Sequence, residues 1–296
     1  MADRPALPVD PHLAVETDGT FDGLLCAYAE AYRHGALPSA VGLIGAPRSG
    51  DLFTEPLCIE TDEAIALRVR RGLDRLAPSL TGQMWRAVLS ERPGIEVAAL
   101  RVADAVRAEG AAAAEDWTFE PTREVRQWSG RVGREAHRME AFVRFEREVV
   151  DGAETWTATA RPEYHVLPIL HPHFEARYPT LAWRIVDDRR GLALVHTPAS
   201  ARPSGEPASR IVPTTTLGIA QEAPDEAGYQ TMWKAYFQAV TIPERRNLKL
   251  HLRHVPRRYW PYLTEKQPEV ETVSEAVEAP VPARRAVPAR GPAAST

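Results

Sequence analysis

The chain has 296 residues, of which 44% are hydrophobic, 26% charged and 7% aromatic. That composition excludes collagen-like, wholly disordered and membrane-spanning chains and leaves room for one large domain or two small ones. The formal net charge of −4 is unevenly placed: residues 1–120 carry −8, residues 121–264 carry +5 and residues 265–296 carry −1.

Residues 1–11 are polar and broken by proline, with no positive start leading into an apolar run, so a disordered N-terminus and a cytoplasmic protein are expected. His12–Glu16 reads as extended. Thr20 then caps a helix in which Phe21, Leu24, Leu25, Tyr28 and Tyr32 recur at helical spacing. Residues 37–60 read as loop with short extended pieces. A second helix starts at Asp62, shows one face through Ile65, Val69, Leu73 and Leu76, and stops at Pro78. A third runs from Ile95 to Ala108. All three read as packing units.

Beyond Pro121 the residues Val125, Trp128, Val132, Ala136 and Met139 fall within one narrow apolar stripe of a helix. Arg123, Gln127, Arg131, Arg134 and Arg138 share another sector and form a cationic row. Gly130 and Gly133 each weaken a helix, which leaves open a later start with Ser129 as cap. From Phe142 to Glu148 the pattern alternates like a strand, Asp151-Gly152 is a hairpin turn, and Thr155–Ala160 is its return strand. Val166–Tyr178 reads as helix, and Trp183–Val186 with Leu192–Val195 as a strand pair. Residues 197–210, rich in Pro, Gly and Ser, read as a surface insertion. A last helix from Asp225 is expected to turn Tyr229, Met232, Trp233, Tyr236 and Val240 inward. The expected class is α+β, helices packed on short antiparallel strands and hairpins, as a single domain over residues 12–264 with a disordered tail over 265–296.

Residues 241–260 hold six basic side chains against one glutamate, together with Tyr259 and Trp260. Guanidinium groups for phosphates and flat rings for bases are the ingredients of a nucleic-acid surface. His165, His171 and His173 lie close together beside Glu163, which raises a metal reading, but the spacing does not converge as zinc ligands do, and no His-Glu-x-x-His pattern or cysteine pair supports it. Glu135 with His137, and Glu163 with His165, are chemically able acid/base pairs of a kind that any chain this long contains. No dinucleotide, Walker or nucleophile-elbow motif occurs.

Three blocks carry a family resemblance: Arg134 to Phe145, Pro162 to Phe174, and Ile242 to Asn247 leading into His254–Trp260. With these the chain resembles a bacterial family of DNA-repair or DNA-metabolism proteins built on a domain of unknown function. The resemblance spans roughly residues 12–264. It implies a setting: members are paired with a radical-SAM protein, itself a DNA modification or repair enzyme, and some are fused to a C-terminal uracil-DNA glycosylase-like domain. After Tyr262 too few residues remain here for such a domain, so base excision is not expected of this chain. With only Cys26 and Cys58, a three-cysteine cluster motif is lacking, so radical chemistry is expected to belong to the partner. No cofactor is expected.

The expected function is therefore a DNA-binding accessory of a radical-SAM enzyme, with DNA and that enzyme as partners and no membrane association. Arg131, Arg134, Arg138, Arg144, Arg245, Arg246, Lys249, Arg257 and Arg258 are expected to face phosphates, and Tyr259 and Trp260 to face bases. One alternative is a metal-assisted hydrolase or nuclease with His137, Glu163 and His165 as catalytic candidates and His165, His171 and His173 as metal candidates. The other is an adaptor that binds only protein.

Overall fold

The structure, a computed structural model, describes residues 5–45, 55–240 and 254–266, with side chains in the last long helix described through Tyr236. In chain order its elements are β1 (Val9–Thr17), α1 (Phe21–His34), β2 (Leu37–Leu43), β3 (Leu57–Cys58), α2 (Glu63–Leu76), α3 (Leu80–Val88), α4 (Ile95–Glu109), α5 (Glu120–Phe142), β4 (Glu146–Val150), β5 (Ala153–Ala160), α6 (Leu167–Arg177), β6 (Trp183–Asp187), β7 (Leu192–His196), β8 (Ser209–Pro213), β9 (Ala220–Glu222) and α7 (Glu226–Val240). The class is α+β.

Two sheets organise these elements. The first has the order β2-β1-β3 and both of its pairings are parallel, with α1 crossing between β1 and β2. The second has the order β8-β7-β6-β5-β4-β9, antiparallel except for β5 with β6, which α6 connects. Parallel neighbours need a crossover of this kind, whereas β6 and β7 meet through the tight Asp187–Gly191 turn.

Each sheet has its own core. Leu24, Leu25, Leu73, Met84, Leu100 and Val106 belong to the first, and Val132, Met139, Leu167, Leu170, Trp183 and Ile185 to the second. The apolar stripe of α5 joins the two: Val125 lies in the first core, Val132, Ala136 and Met139 in the second, and Trp128 packs against both. The stripe is the one the sequence predicts, but the helix begins at Glu120 and runs unbroken through Gly130 and Gly133. Two helical glycines cost about 1 kcal/mol each relative to alanine, which burial of the stripe offsets. Ser129 is no cap; it is buried and accepts a hydrogen bond from Arg86 Nε at 3.2 Å.

Other expectations need correction. Pro5 and Leu7 are tied down, the first accepting from Arg107 and the second donating its N–H to the buried carboxylate of Asp104 at 2.6 Å, so the ordered chain starts before residue 12. The helix α3 carries no sequence signal because Ser79, in the left-handed region at φ 66°, starts it without a side-chain cap. Strand character begins at Glu146, since α5 holds Phe142. The 197–210 stretch is the connection of a hairpin whose second strand, β8, pairs with β7 from Ser209 onward. Along α7, Tyr229, Met232, Trp233 and Tyr236 face outward at 54%, 62%, 39% and 58% exposure; the side chain of Val240 lies outside the described residues. Among the described residues the helix packs on the Thr264–Lys266 turn and touches the sheet through Glu226, which accepts from the Arg147 N–H of β4, and those residues leave its apolar face uncovered. Glu265, assigned to the tail by composition, accepts hydrogen bonds from Arg144 and Trp233. Residues 267–296 lie outside the described residues.

Candidate functional site

The described parts of the three sequence blocks converge on one carboxylate, while Ile242 to Asn247 lie outside the described residues. Glu135, in the middle of α5, has a side chain only 1% exposed. Its Oε1 accepts from the backbone N–H of Glu163 at 2.9 Å, and its Oε2 accepts from Arg258 Nη2 at 3.0 Å and from the Tyr259 hydroxyl at 2.5 Å. Arg258 also reaches Glu163 at 3.0 Å, while Tyr164 donates to Glu163 at 3.1 Å. Burial and the hydrogen bond to Glu135 push the Tyr259 hydroxyl far above its ordinary pKa. Burial works against the charge on Arg258, but its bonds to Tyr259 and Glu135 outweigh that and raise its pKa. Every acceptor here is engaged, so the cluster is a clamp that fixes the 256–262 segment onto α5.

Beside it a second cluster closes the gap between the α3–α4 turn and the β6–β7 hairpin. Asp187, with no side-chain exposure, accepts from the backbone N–H groups of Arg189 and Arg190 and from Arg190 Nη1 at 2.9 Å. Arg190 further holds Glu91 through Nε at 2.9 Å and Nη2 at 2.5 Å and donates to the carbonyls of Pro162 and Glu163. Burial pushes the Glu91 carboxyl up, but the Arg190 hydrogen bond and charge bring it below its usual range.

His165 faces this cluster, its backbone N–H bonded to Leu89 O at 3.0 Å and its buried Nδ1 without a hydrogen-bond partner among the described residues. Burial and the cation of Arg190 lower its pKa against the opposing pull of Glu91 and Asp187. Because the folded pKa lies below the unfolded value of about 6.5, the unfolded chain binds the extra proton first, and stability falls as pH drops below that value. In urea titrations, His165→Gln is expected to lose less stability than the parent between pH 7 and pH 5.5; an identical loss in both would assign the acid sensitivity elsewhere.

The predicted phosphate contacts divide into three groups. Arg131 and Arg134 are exposed on consecutive turns of α5, and among the described residues neither has a carboxylate partner within ion-pair distance. Arg138 follows one turn later, 34% exposed, 3.6 Å from Glu135. Arg257 is exposed and lies over the Trp260 ring, whose Nε1 donates to Val255 O. Arg144 and Arg258 are corrected, because their guanidinium groups are committed to Glu265 and to Glu135 with Glu163. Tyr259 is corrected too: at 2% exposure and bonded to Glu135 it presents no face to a base. Arg245, Arg246 and Lys249 lie outside the described residues.

The histidine candidates do not assemble. His137 projects outward with its side chain 87% exposed, beside Glu140. His171 faces Glu175 one turn on, and His173 packs edge-on against Phe174. Among the described residues no group of three or more His, Cys, Asp or Glu side chains is placed to hold a metal ion, and among those residues no helix is long and apolar enough to cross a membrane.

Sequence reasoning missed Asp187, Arg190 and Glu91 as a unit, since 99 positions separate Arg190 from Glu91. It also missed Arg92. That residue leaves the turn one position after Glu91, which has φ 54°, and stacks its guanidinium over Trp128.

Residues 93–265 match the family model described as a domain of unknown function, DUF4130. A comparison with curated proteins finds no match. Among solved structures, one described as "Crystal structure of Methanococcus jannaschii putative family II inorganic pyrophosphatase" is 9% identical over 75% of this chain and 78% of that one, with a TM-score of 0.16. A likeness that low carries no argument.

Proposed function

The chain belongs to the DUF4130 family of domains of unknown function, and we propose that it binds DNA as the accessory of a radical-SAM DNA modification or repair enzyme. Arg131 and Arg134 of α5 meet backbone phosphates, with Arg138 one turn on, loosely paired to Glu135 at 3.6 Å, available as a third contact. The observation that carries this reading is the outward guanidinium row: Arg131 and Arg134 stand three residues apart on a helix whose opposite face is buried, exposed and free of carboxylate partners among the described residues. Side chains at that spacing are neighbours on a helix surface, and donor groups held this way suit a line of phosphates. The +5 balance of residues 121–264 against −8 in residues 1–120 supports it. The radical-SAM partner rests on the family resemblance carried by the three sequence blocks.

Fluorescence anisotropy with single- and double-stranded oligonucleotides tests the DNA part. Affinity is expected to fall steeply between 50 and 200 mM salt, Arg131→Ala and Arg134→Ala each to reduce the salt slope by about 1, and the pair to weaken binding about tenfold without regard to sequence. Salt-independent binding, or a double variant that binds like the parent, would refute it. Co-purification with the radical-SAM protein that persists after nuclease treatment is the expected sign of the partnership.

A further inference from the structure

We propose that the hollow beside Trp128 takes the terminal phosphate of a nucleic-acid strand, an inference that rests on the DNA reading of α5 and names a distinct subsite on it. The hollow has a volume of about 350 Å³ and is lined by Arg92, Arg123, Gln127, Trp128 and Arg131. Two of its cations converge on one indole: the guanidinium carbon of Arg92 lies 4.8 Å, and that of Arg131 4.5 Å, from the Trp128 ring centroid. Stacking occupies the flat face of a guanidinium and leaves N–H groups at its edge to donate, and Arg131 is further tied to the Tyr164 hydroxyl, so these groups are held in place before any anion arrives. Two like charges against one ring repel each other, and an anion between them removes that repulsion.

Two carboxylates also line the hollow and could satisfy the same cations. Glu124 approaches Arg92, and Glu120 approaches Arg123, but only to 3.9 Å in each case, with all four side chains more than a third exposed. Exposed pairs this loose are readily exchanged for a better anion. Once the two carboxylates give way, three guanidiniums face the hollow, and a terminal phosphomonoester, at about −1.5 to −2 near neutral pH, offsets more of that charge than a singly charged internal diester. Shape agrees with charge. A strand can run along the ridge of Arg134 and Arg138, whereas a hollow admits an end. The backbone fixes the arrangement: Arg92 sits between Glu91 at φ 54° and Gly94 at φ 83°, and Arg190 grips Glu91.

The test compares one oligonucleotide carrying a 5′-phosphate, a 3′-phosphate or hydroxyls at both ends, at one fixed salt concentration, on the full chain. A phosphorylated end is expected to bind about tenfold more tightly than the hydroxyl ends, and which arm gains identifies the end that enters. Arg92→Ala is expected to bring that ratio to about one, while Arg210→Ala, an exposed arginine of β8, keeps it. Thermal melting of both variants controls for folding. Equal affinity for all three strands, or a ratio that survives Arg92→Ala, overturns the subsite while leaving DNA binding by α5 intact; failure of the parent to bind any strand overturns both.

Discussion

Replacing Glu135 by alanine is expected to cost about 3–5 kcal/mol of stability, the range for removing one partner of a buried charge pair. The loss arises from what stays behind. The Tyr259 hydroxyl, in a residue 2% exposed, and the N–H of Glu163 both lose their acceptor, and Arg258 keeps Glu163 and the Tyr259 hydroxyl. Each orphaned buried donor costs about 1–3 kcal/mol. Tyr259→Phe removes a donor together with its demand, so it is expected to cost less, about 1 kcal/mol. Urea denaturation of the two single variants and the double variant measures the coupling. Because the groups are in contact, the double variant should be more stable than the sum of single losses predicts. Additive losses would mean that the 2.5 Å contact contributes nothing of its own. Glu135→Gln separates structure from function: it retains an acceptor in the same volume, and DNA affinity at least equal to the parent's is expected, since Arg131 and Arg134 have no bond to Glu135 and Arg138 only loses its carboxylate partner at 3.6 Å.

The parts legible in the sequence are those where a residue's partner is close along the chain. Thr20 begins α1 because its Oγ1 accepts from the N–H of Gly23 at 2.9 Å, and Asp62 begins α2 because its Oδ1 accepts from Ala64 and Ile65; both are capping residues in capping positions. The stripe of α5 follows from helical period alone, and the β6–β7 pair from its turn. The illegible parts depend on distant partners. Nothing near β1 announces its parallel pairing with both β2 and β3. Helical period marks an apolar face on α7 but not what lies opposite, and the outward Tyr229, Met232 and Tyr236 are the result. Arginine count misleads in the same way. Arg144 and Arg258 look like Arg131 and Arg134 in the sequence, yet the first two are held by Glu265, Glu135 and Glu163. A basic stretch therefore predicts a polyanion surface only after its internal ion pairs are subtracted.

Arg190→Ala is expected to cost about 3–5 kcal/mol as well, and to reach the hollow at Trp128. Without the guanidinium, the fully buried Asp187 keeps only the two backbone N–H groups of its own turn, and Glu91 loses the side chain that holds it in a left-handed conformation. A non-glycine residue there carries strain of order 1–3 kcal/mol and persists only while its surroundings enforce it. The turn that carries Arg92 is then free to relax, and preference for a phosphorylated strand end should fall along with stability. Arg190→Lys keeps a charge but not the fork that reaches Glu91 and Asp187 together, so an intermediate loss is expected. The decisive comparison adds Asp187→Asn to Arg190→Met. If the penalty of the single change comes from a stranded carboxylate, neutralising Asp187 restores more than half of the lost stability, yet the strand-end preference stays low because Glu91 is still ungripped. Recovery of both together would show that the Asp187 charge, and not the grip on Glu91, governs where Arg92 points.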